Sequence, residues 1–389
     1  MEWHYRCATC GTTYEIVPGR YLCDHCVRRQ QADRPLEGIL EAEWDGDVSG
    51  SGVIPLPVEP AWFPPIPVGN TPLWAPERLR REFAAPGLWL KDDTCNPSGS
   101  FKDRASYLVA AFARKRGVRE VVLASTGNAA SSMAAVGAAA GLAIKVFLPA
   151  AAPAAKRIQV LQYGAELVSV DGTYDQAFDL SLEYSNKTGS LSRNTAYNPL
   201  TIEGKKTVAF EMVDDLLDAG AGVPDHVFVP AGDGVILAGV YRGFENLLKL
   251  GRIGKIPVVW ACQAEGSSAI ARAWASPHSA SDPFGPPRRS ETVADSIAVD
   301  VPRNGLHALG KLRRYGGEAV SVSDGEILAA QKTLSAGSGL FAEPSSSAAF
   351  AGWLKVRHRV KAEGNCVVLI TGSGLKDIKS AAQGLGLDL

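Results

Sequence analysis

The feature that most constrains the fold of this chain is a regular alternation of short apolar segments and helical segments from Leu88 onward. Leu108, Ala111 and Phe112 recur at helical spacing, and Asn128–Ala140 is rich in alanine, the strongest helix former. The alternation predicts an α/β fold with parallel sheets that helices cover on both faces. The predicted strands are 88–91, 120–124, 144–148, 166–170, 227–229, 257–262 and 366–370, and the predicted helices are 101–116, 128–140, 153–164 and 174–187.

Length and charge narrow the class of protein. The 389 residues suffice for two or three domains, and a hydrophobic content of 46% permits a sizeable core. A formal net charge of -1, without a polybasic tract, argues against nucleic acid and anionic membrane surfaces as partners. The longest apolar run, 133–144, is too short to span a bilayer, and the first residues lack an apolar signal segment. We therefore expect a soluble, cytoplasmic protein.

Four of the seven cysteines form two CxxC pairs, Cys7 with Cys10 and Cys23 with Cys26. This spacing suits a four-thiolate zinc site, in which each pair offers two sulfurs to one ion. Residues 1–35 are too few to bury much core, so bound Zn²⁺ would supply their folding free energy. Two disulfides are the alternative, disfavoured without an export signal, and a redox CxxC is disfavoured because no βαβ pattern surrounds it. The following segment, 30–68, holds seven prolines and is predicted to be an irregular connector.

One lysine, Lys102, stands between a Gly/Ser turn and a predicted helix in the motif Asn96-Pro-Ser-Gly-Ser-Phe-Lys-Asp-Arg104. A lysine amine can form a Schiff base with an aldehyde cofactor, although a lone lysine after a polar loop is usually a surface residue. Three further motifs follow predicted strands, where open parallel sheets bind ligands. They are Ser125–Asn128, Pro230–Gly239 and Thr371–Asp377. The free N–H groups of such loops attract carboxylates and phosphates, but capping and plain glycine turns explain each motif singly.

Taken in order, these motifs resemble those of the fold-type-II pyridoxal-phosphate (PLP) enzymes, most of all the threonine synthase family. Gly69-Asn-Thr-Pro-Leu73 resembles the entry motif G-x-T-P-L of the same enzymes. The resemblance covers essentially the whole chain. It implies a tryptophan synthase β-like fold with two parallel-sheet α/β domains, a zinc-ribbon-like N-terminal extension and a homodimer. We predict the extension at 1–35, a large PLP-binding domain at 36–104 plus 211–389, and a small α/β domain at 105–210.

The resemblance also implies residue roles. Lys102 would form the Schiff base and act as the catalytic base, next to Phe101, and Asn128 would bond the phenolic oxygen of PLP. Thr371 would face the pyridine nitrogen, where a neutral hydroxyl does not favour protonation and so steers the chemistry toward elimination and replacement. The segment 343–348 would pack near the cofactor ring, and 295–297 would line the pocket. The implied phosphate loop is Gly232, Asp233, Gly234, Val235 and Ile236, and the implied substrate-binding residues are Ser125, Thr126, Gly127, Ala129 and Thr201.

The chain departs from the family pattern at four positions. Thr201 replaces an arginine of the substrate-phosphate site, and Ala129 replaces a hydroxyl residue. Asp233 stands where Asn or Gly is usual, and its carboxylate should repel a phosphate unless the side chain turns away. Ser373 stands where His is usual. Four basic residues are candidates to compensate for the lost phosphate ligands, although each singly is expected to be a solvated surface charge: Arg193, Lys205, Lys206 and Arg303.

Three functions follow as hypotheses. The first is a PLP-dependent carbon–oxygen lyase that converts O-phosphohomoserine and water to threonine and phosphate. The second is a paralogue that carries out β-elimination or β-replacement on serine, threonine or phosphoserine, as a dehydratase or a cysteate-synthase-like enzyme. The third is a non-catalytic binding protein with the same fold, which the intact Lys102 disfavours.

Overall fold

The computed structural model describes residues 2–46, 54–150, 154–279 and 281–387, and these form two compact units. The first unit comprises the described residues of Met1–Gln30, Glu37–Gly69 and Asn96–Lys205, and the second those of Gln31–Leu36, Asn70–Cys95 and Lys206–Leu389. The beginning of the predicted helix 153–164 and part of the predicted connector, 47–53, lie outside the described residues.

Thirteen strands and thirteen α-helices make up the described secondary structure. The strands are β1 Glu2–Cys7, β2 Thr13–Glu15, β3 Leu40–Asp45, β4 Leu73–Trp74, β5 Leu88–Asp92, β6 Glu120–Ala124, β7 Ala143–Pro149, β8 Glu166–Val170, β9 Leu191–Ser192, β10 His226–Pro230, β11 Val258–Ala264, β12 Glu318–Val322 and β13 Cys366–Ile370. The helices are α1 Glu77–Glu82, α2 Lys102–Lys115, α3 Asn128–Ala140, α4 Ala154–Gln162, α5 Tyr174–Thr188, α6 Leu200–Glu203, α7 Thr207–Asp218, α8 Val235–Lys249, α9 Ala269–Ala275, α10 Gly305–Arg314, α11 Asp324–Ser338, α12 Pro344–Val356 and α13 Ile378–Gly384.

The N-terminal part of the first unit is a three-stranded antiparallel sheet in the order β2-β1-β3. In this sheet Tyr5 of β1 pairs with Ala42 of β3. The prediction of an irregular connector was wrong for 40–45, because Pro35 and Pro55 flank β3 and leave its backbone donors free to pair with β1.

The rest of the first unit is a parallel four-stranded sheet in the order β8-β7-β6-β9, with α2 to α6 around it. One continuous apolar core joins this part to the N-terminal sheet, since Tyr5 and Ile16 cluster with Leu108 and Phe112 of α2. A hydrogen bond from the Ser192 N–H to the Tyr21 hydroxyl, 2.8 Å long, adds a polar tie. The N-terminal sheet is therefore packed on the helix that begins at Lys102.

The second unit is built on a six-stranded sheet in the order β12-β11-β10-β13-β5-β4. Its strands are parallel except for β4, which runs antiparallel to β5. All seven predicted strands are present within two residues of their expected bounds, and they pair in parallel as predicted. Among the described residues, the helices are all too short or too polar to cross a bilayer.

A buried ion cluster in the second unit is centred on Lys91 of β5. The ammonium of Lys91, which has no exposed surface, lies 2.7 Å from a carboxylate oxygen of Asp215 and 3.0 Å from one of Glu211. It also donates to the carbonyl of Thr71 at 2.6 Å. Because three acceptors surround one buried cation, this cluster ties the Thr71 segment and α7 to the central sheet.

Candidate active site

The turn that precedes Lys102 is held by its neighbour in the motif, Asp103. The fully buried carboxylate of Asp103 accepts hydrogen bonds from the N–H and the hydroxyl of Ser98, at 2.7 and 2.6 Å. Gly99 adopts a positive φ of 78°, a conformation that residues with a Cβ rarely take. Phe101 is fully buried, whereas Lys102, the first residue of α2, is partly exposed. The motif therefore presents the lysine at the start of a helix from a fixed turn.

The second candidate loop joins β6 to α3, as the sequence predicts. Gly127 precedes the helix and has no side chain to cap it, and a helix start of this kind suits an anionic group because of the helix dipole. The hydroxyl of Ser125 accepts from the Gly127 N–H at 3.2 Å, while Thr126 and Ala129 are partly exposed. Asn128, the first residue of α3, is 8% exposed.

A buried polar contact links α2 to α3 one turn after Lys102 and Asn128. The hydroxyl of Ser132 donates to that of Ser106 at 2.7 Å, and Ser106 also accepts from Nε of Arg193 at 3.2 Å. Ser106 lies four residues after Lys102, and Ser132 lies four after Asn128, so both face the same side of their helices as the predicted site residues. This contact fixes the spacing of the two helices that carry Lys102 and Asn128.

Three of the basic residues named as phosphate-site candidates are not surface charges. Arg193, Lys205 and Lys206 are all completely buried, so the expectation that they are solvated was wrong. Lys205 donates to the carbonyl of Thr201 at 3.0 Å, and the buried hydroxyl of Thr201 donates to the Asn198 carbonyl at 2.7 Å. The motif 198–207 thus folds into a buried polar turn whose charges are directed inward.

In the second unit, the glycine loop follows β10 and leads into α8. A Cβ at Gly232 would stand 2.9 Å from the Cα of Ile297, and one at Gly234 would stand 2.8 Å from the Cβ of Ala308. Gly234 also has a φ of 89°. Both glycines are therefore required by close packing, and Val235 and Ile236 open the helix behind them.

The carboxylate of Asp233, two residues before α8, contacts the start of that helix. Its Oδ1 accepts from the N–H of Val235 at 3.0 Å, so the side chain caps the first turn of α8. Its carbonyl accepts from the N–H of Asn304, whose side chain in turn donates to the carbonyl of Gly234 at 3.1 Å. The carboxylate occupies one of the backbone donors that a phosphate at this helix end would otherwise use.

Four sequence motifs meet in the second unit. The Ser296 N–H donates to the hydroxyl of Ser345 at 2.9 Å, next to the contact between Gly232 and Ile297. The hydroxyl of Ser346 accepts from the N–H of Thr371 at 2.7 Å, which lies directly after β13. The segments 231–236, 295–297, 343–348 and 371–374 are thus joined at one edge of the sheet.

The structure therefore divides the predicted residues into two sets, each assembled within its own unit. Lys102, Asn128 and the loop 125–127 belong to the first, and the glycine loop and Thr371 belong to the second. Sequence reasoning missed Gln263, a buried residue of β11 whose side chain donates to the carbonyl of Ala231 at 2.9 Å. The sequence signal that could have identified this residue is a glutamine inside an otherwise apolar strand.

The four N-terminal cysteines converge, as their spacing predicts. Their sulfur atoms all lie within 4.8 Å of one another, with 3.8 Å between Cys7 and Cys26 and 3.5 Å between Cys10 and Cys23. A tetrahedral site with Zn–S bonds of about 2.3 Å has sulfurs about 3.8 Å apart. Hydrogen bonds from Thr12 lower the pKa of the Cys10 thiol to about 6, which favours the thiolate that binds metal.

A family model for PLP-dependent enzymes matches most of the chain. The model described as pyridoxal-phosphate dependent enzyme matches residues 66–372. Solved structures share the fold: a processed threonine deaminase isoform 2 from Solanum lycopersicum has a TM-score of 0.68 at 22% identity, covering 81% of this chain and 87% of that one. Maize serine racemase has the same TM-score at 20% identity, covering 82% and 92%. The chain belongs to the PLP-dependent enzymes of fold type II.

Comparison with named relatives identifies the family within this class of enzymes. Threonine synthase from Methanosarcina acetivorans is 34% identical over 96% of this chain and 92% of its own length. The Methanocaldococcus jannaschii threonine synthase is 32% identical over 97% and 93%, and the Synechocystis protein is 36% identical over 82% and 80%. Within the PLP-dependent enzymes, this chain is a member of the threonine synthase family.

Proposed function

We propose that this enzyme converts O-phosphohomoserine and water to threonine and phosphate. The observation that carries the proposal is the similarity to threonine synthases along 96% of the chain, at 34% identity. The lysine motif also supports the proposal, because in this structure it is a fixed turn at the start of a helix.

The residues present fit PLP. Gly232 and Gly234 pack closely against Ile297 and Ala308, and the loop that they form leads into the start of a helix suited to a phosphate. We assign covalent attachment to Lys102, contact with the phenolic oxygen to Asn128, contact with the ring nitrogen to Thr371, and phosphate binding to the loop 232–236. PLP bound there supplies an electron sink for carbanion chemistry at an amino acid.

The remaining work falls to the chain itself. The uncapped first turn of α3, with Ser125, Thr126 and Gly127, is suited to hold the α-carboxylate of the substrate. The Lys102 amine removes and returns protons at the substrate carbons. Ala129 and Thr201 adjoin this region in the family pattern, and we assign them to the substrate site.

A panel of substrates tests the proposal. Purified enzyme reconstituted with PLP should release threonine and phosphate in equal amounts from O-phosphohomoserine, measured by amino-acid analysis and a phosphate assay. The second candidate, β-elimination or β-replacement on serine, threonine or phosphoserine, is favoured by Thr201 and Ala129, which replace two phosphate-binding groups. No threonine from O-phosphohomoserine, together with turnover of one of those amino acids, would replace the first proposal by the second.

The unusual Asp233 yields a prediction about cofactor affinity. Asp233→Asn keeps a side chain that caps α8 but removes a negative charge next to the proposed phosphate site. We expect PLP to bind at least about 5-fold more tightly, because like charges repel at short range. Fluorescence titration of apoenzyme with PLP measures the change. Asp218→Asn, at an exposed position on α7, is the matched control, and unchanged or weaker binding in Asp233→Asn would refute the expected repulsion.

We also propose that Cys7, Cys10, Cys23 and Cys26 hold one structural Zn²⁺, supported by the sulfur spacing. The hydroxyl of Tyr14, 3.1 Å from the Cys23 sulfur, would steady that ligand from outside the site. The homodimer and the cytoplasmic location stay predictions of the sequence.

Replacing one ligand tests the zinc proposal. Cys23→Ser should lose about one equivalent of zinc per chain and unfold at a temperature lower by at least about 5 °C, because the sheet that carries the site shares its core with α2. Elemental analysis and thermal unfolding measure both effects. Cys95→Ser, an exposed thiol outside the cluster, should keep its zinc. A Cys23→Ser protein with a full equivalent of metal contradicts the assignment.

A further inference from the structure

A cavity in the second unit is lined by none of the residues assigned above. Its volume is about 310 Å³, and its wall includes Leu88 and Cys366, the first residues of β5 and β13. Thr371 follows the other end of β13, five residues further on. Since a parallel strand rises about 3.3 Å per residue, the cavity is about 16 Å from Thr371 along the strand.

The frame of this cavity is rigid. The Cys366 N–H donates to the Gly87 carbonyl at 2.8 Å, and the Gly87 N–H donates to the Ala362 carbonyl at 3.2 Å. A Cβ at Gly87 would stand 2.2 Å from the Gly364 carbonyl oxygen, so the two segments touch. Ala84, which also lines the cavity, has a φ of 47°, a strained conformation for a residue with a Cβ. Strain of this kind persists where the surroundings enforce it, and it is frequent at ligand clamps.

The lining combines an aromatic floor with a cationic rim. Trp353 is 1% exposed and meets the ring of Phe83 edge-on, with 5.6 Å between the ring centroids. Three exposed basic residues complete the rim, Arg357, His358 and Lys361. The described residues that line the cavity include no carboxylate. A flat apolar group would therefore fit the floor, and a negative charge would fit the rim.

We propose that this cavity binds a small organic carboxylate with one ring or one branched chain as its apolar body. The volume is at the low end of ligand-binding pockets, which suits a molecule of that size. The carboxylate would meet Lys361 and Arg357, and the apolar body would lie against Phe83, a partly exposed ring that packs on the buried Trp353. A zwitterionic amino acid is a poorer match, because its ammonium group would face a rim without an anion.

The position of the cavity relates it to the catalytic segments of the same unit. Helix α12 contributes Trp353 from its last turn, and from its first turn it contributes Ser346, which accepts from the Thr371 N–H. Strand β13 likewise runs from Cys366 at the cavity to Thr371. A ligand in this cavity would therefore contact two elements that hold Thr371.

Calorimetric titration of the PLP-loaded enzyme tests the inference with three probes of one skeleton: 3-phenylpropanoate, L-phenylalanine and 3-phenylpropan-1-ol. We expect 3-phenylpropanoate to bind at least about 10-fold more tightly than either of the others, and binding to persist in saturating threonine. Lys361→Gln should weaken it about 5- to 10-fold, whereas Lys332→Gln, an exposed lysine on α11, should not.

Three results would overturn the inference. They are equal binding of the alcohol and the carboxylate, displacement of 3-phenylpropanoate by threonine, and unchanged affinity in both Lys361→Gln and Phe83→Leu. Lys361 is exposed, so its replacement leaves folding intact, and the comparisons among the three probes and between the lysine variants do not depend on the proposed reaction.

Discussion

Replacing Lys102 by alanine is expected to lower turnover by about 10³-fold or more and to abolish the visible absorption of covalently attached PLP. The amine of Lys102 is assigned both to attachment of the cofactor and to proton transfer at the substrate, and a positioned general base alone contributes about 10²- to 10⁴-fold. Absorption spectra and single-turnover kinetics on the amino acid identified by the substrate panel measure the two effects.

Lys115→Ala is the matched control for that experiment. Lys115 ends the same helix and pairs with Glu59 at 2.8 Å, and its side chain is 28% exposed. We expect this variant to keep the absorption and the turnover of the parent enzyme. If Lys102→Ala turned over any amino acid at the parental rate, the assignment of Lys102 would be excluded. If the parent enzyme turned over none of the amino acids in the panel, a non-catalytic protein would be indicated.

Replacing Lys91 by methionine is expected to lower the free energy of unfolding by about 3–5 kcal/mol, which is the usual loss when one partner of a buried ion pair is removed. Glu211, 3.0 Å from the lysine and 9% exposed, would lose its cation in the interior of the second unit. Methionine has a similar length and shape, so lost packing contributes little. Denaturant unfolding followed by circular dichroism measures the change.

Two further variants separate charge from packing. In Lys91→Met/Glu211→Gln the stranded carboxylate is gone, so we expect a smaller loss than in Lys91→Met alone. Lys255→Met removes a lysine that is 75% exposed and 3.8 Å from Asp225, and it should change stability by less than about 0.5 kcal/mol. A double variant as unstable as the sum of the single variants would show that the ion pair is not the cause.

Local signals predicted much of the fold. The bounds of β6, β8, α3 and β13 agree with those expected from periodicity and composition, because each is a continuous apolar or alanine-rich segment between polar turns. Strand β3 was missed, since its sequence Leu-Glu-Ala-Glu-Trp-Asp carries three acids and lies among prolines. Its identity as a strand depends on pairing with β1, which is distant in sequence.

The candidate site was also predictable only in part, because some of its contacts join segments that are distant in sequence. Motif order and the ends of parallel strands identified the four segments that meet in the second unit. Local sequence does not reveal that the Asp233 carboxylate caps α8 or that Asn304 holds the loop, because both depend on tertiary contacts. The burial of Lys205 and Lys206 was likewise invisible, since long basic side chains are ordinarily solvated.

The shared core of the N-terminal sheet and α2 limits how this enzyme can be trimmed. The side chains of Tyr5 and Ile16 shield Leu108 and Phe112 of α2 from water. A shortened chain that began after β3 would expose a hydrophobic surface on α2, the helix that starts with Lys102, and exposed hydrophobic surfaces promote aggregation. Strands β1 to β3 therefore belong to the packed core of the first unit, and a shorter version of the protein has to retain them or carry polar substitutions on that face of α2.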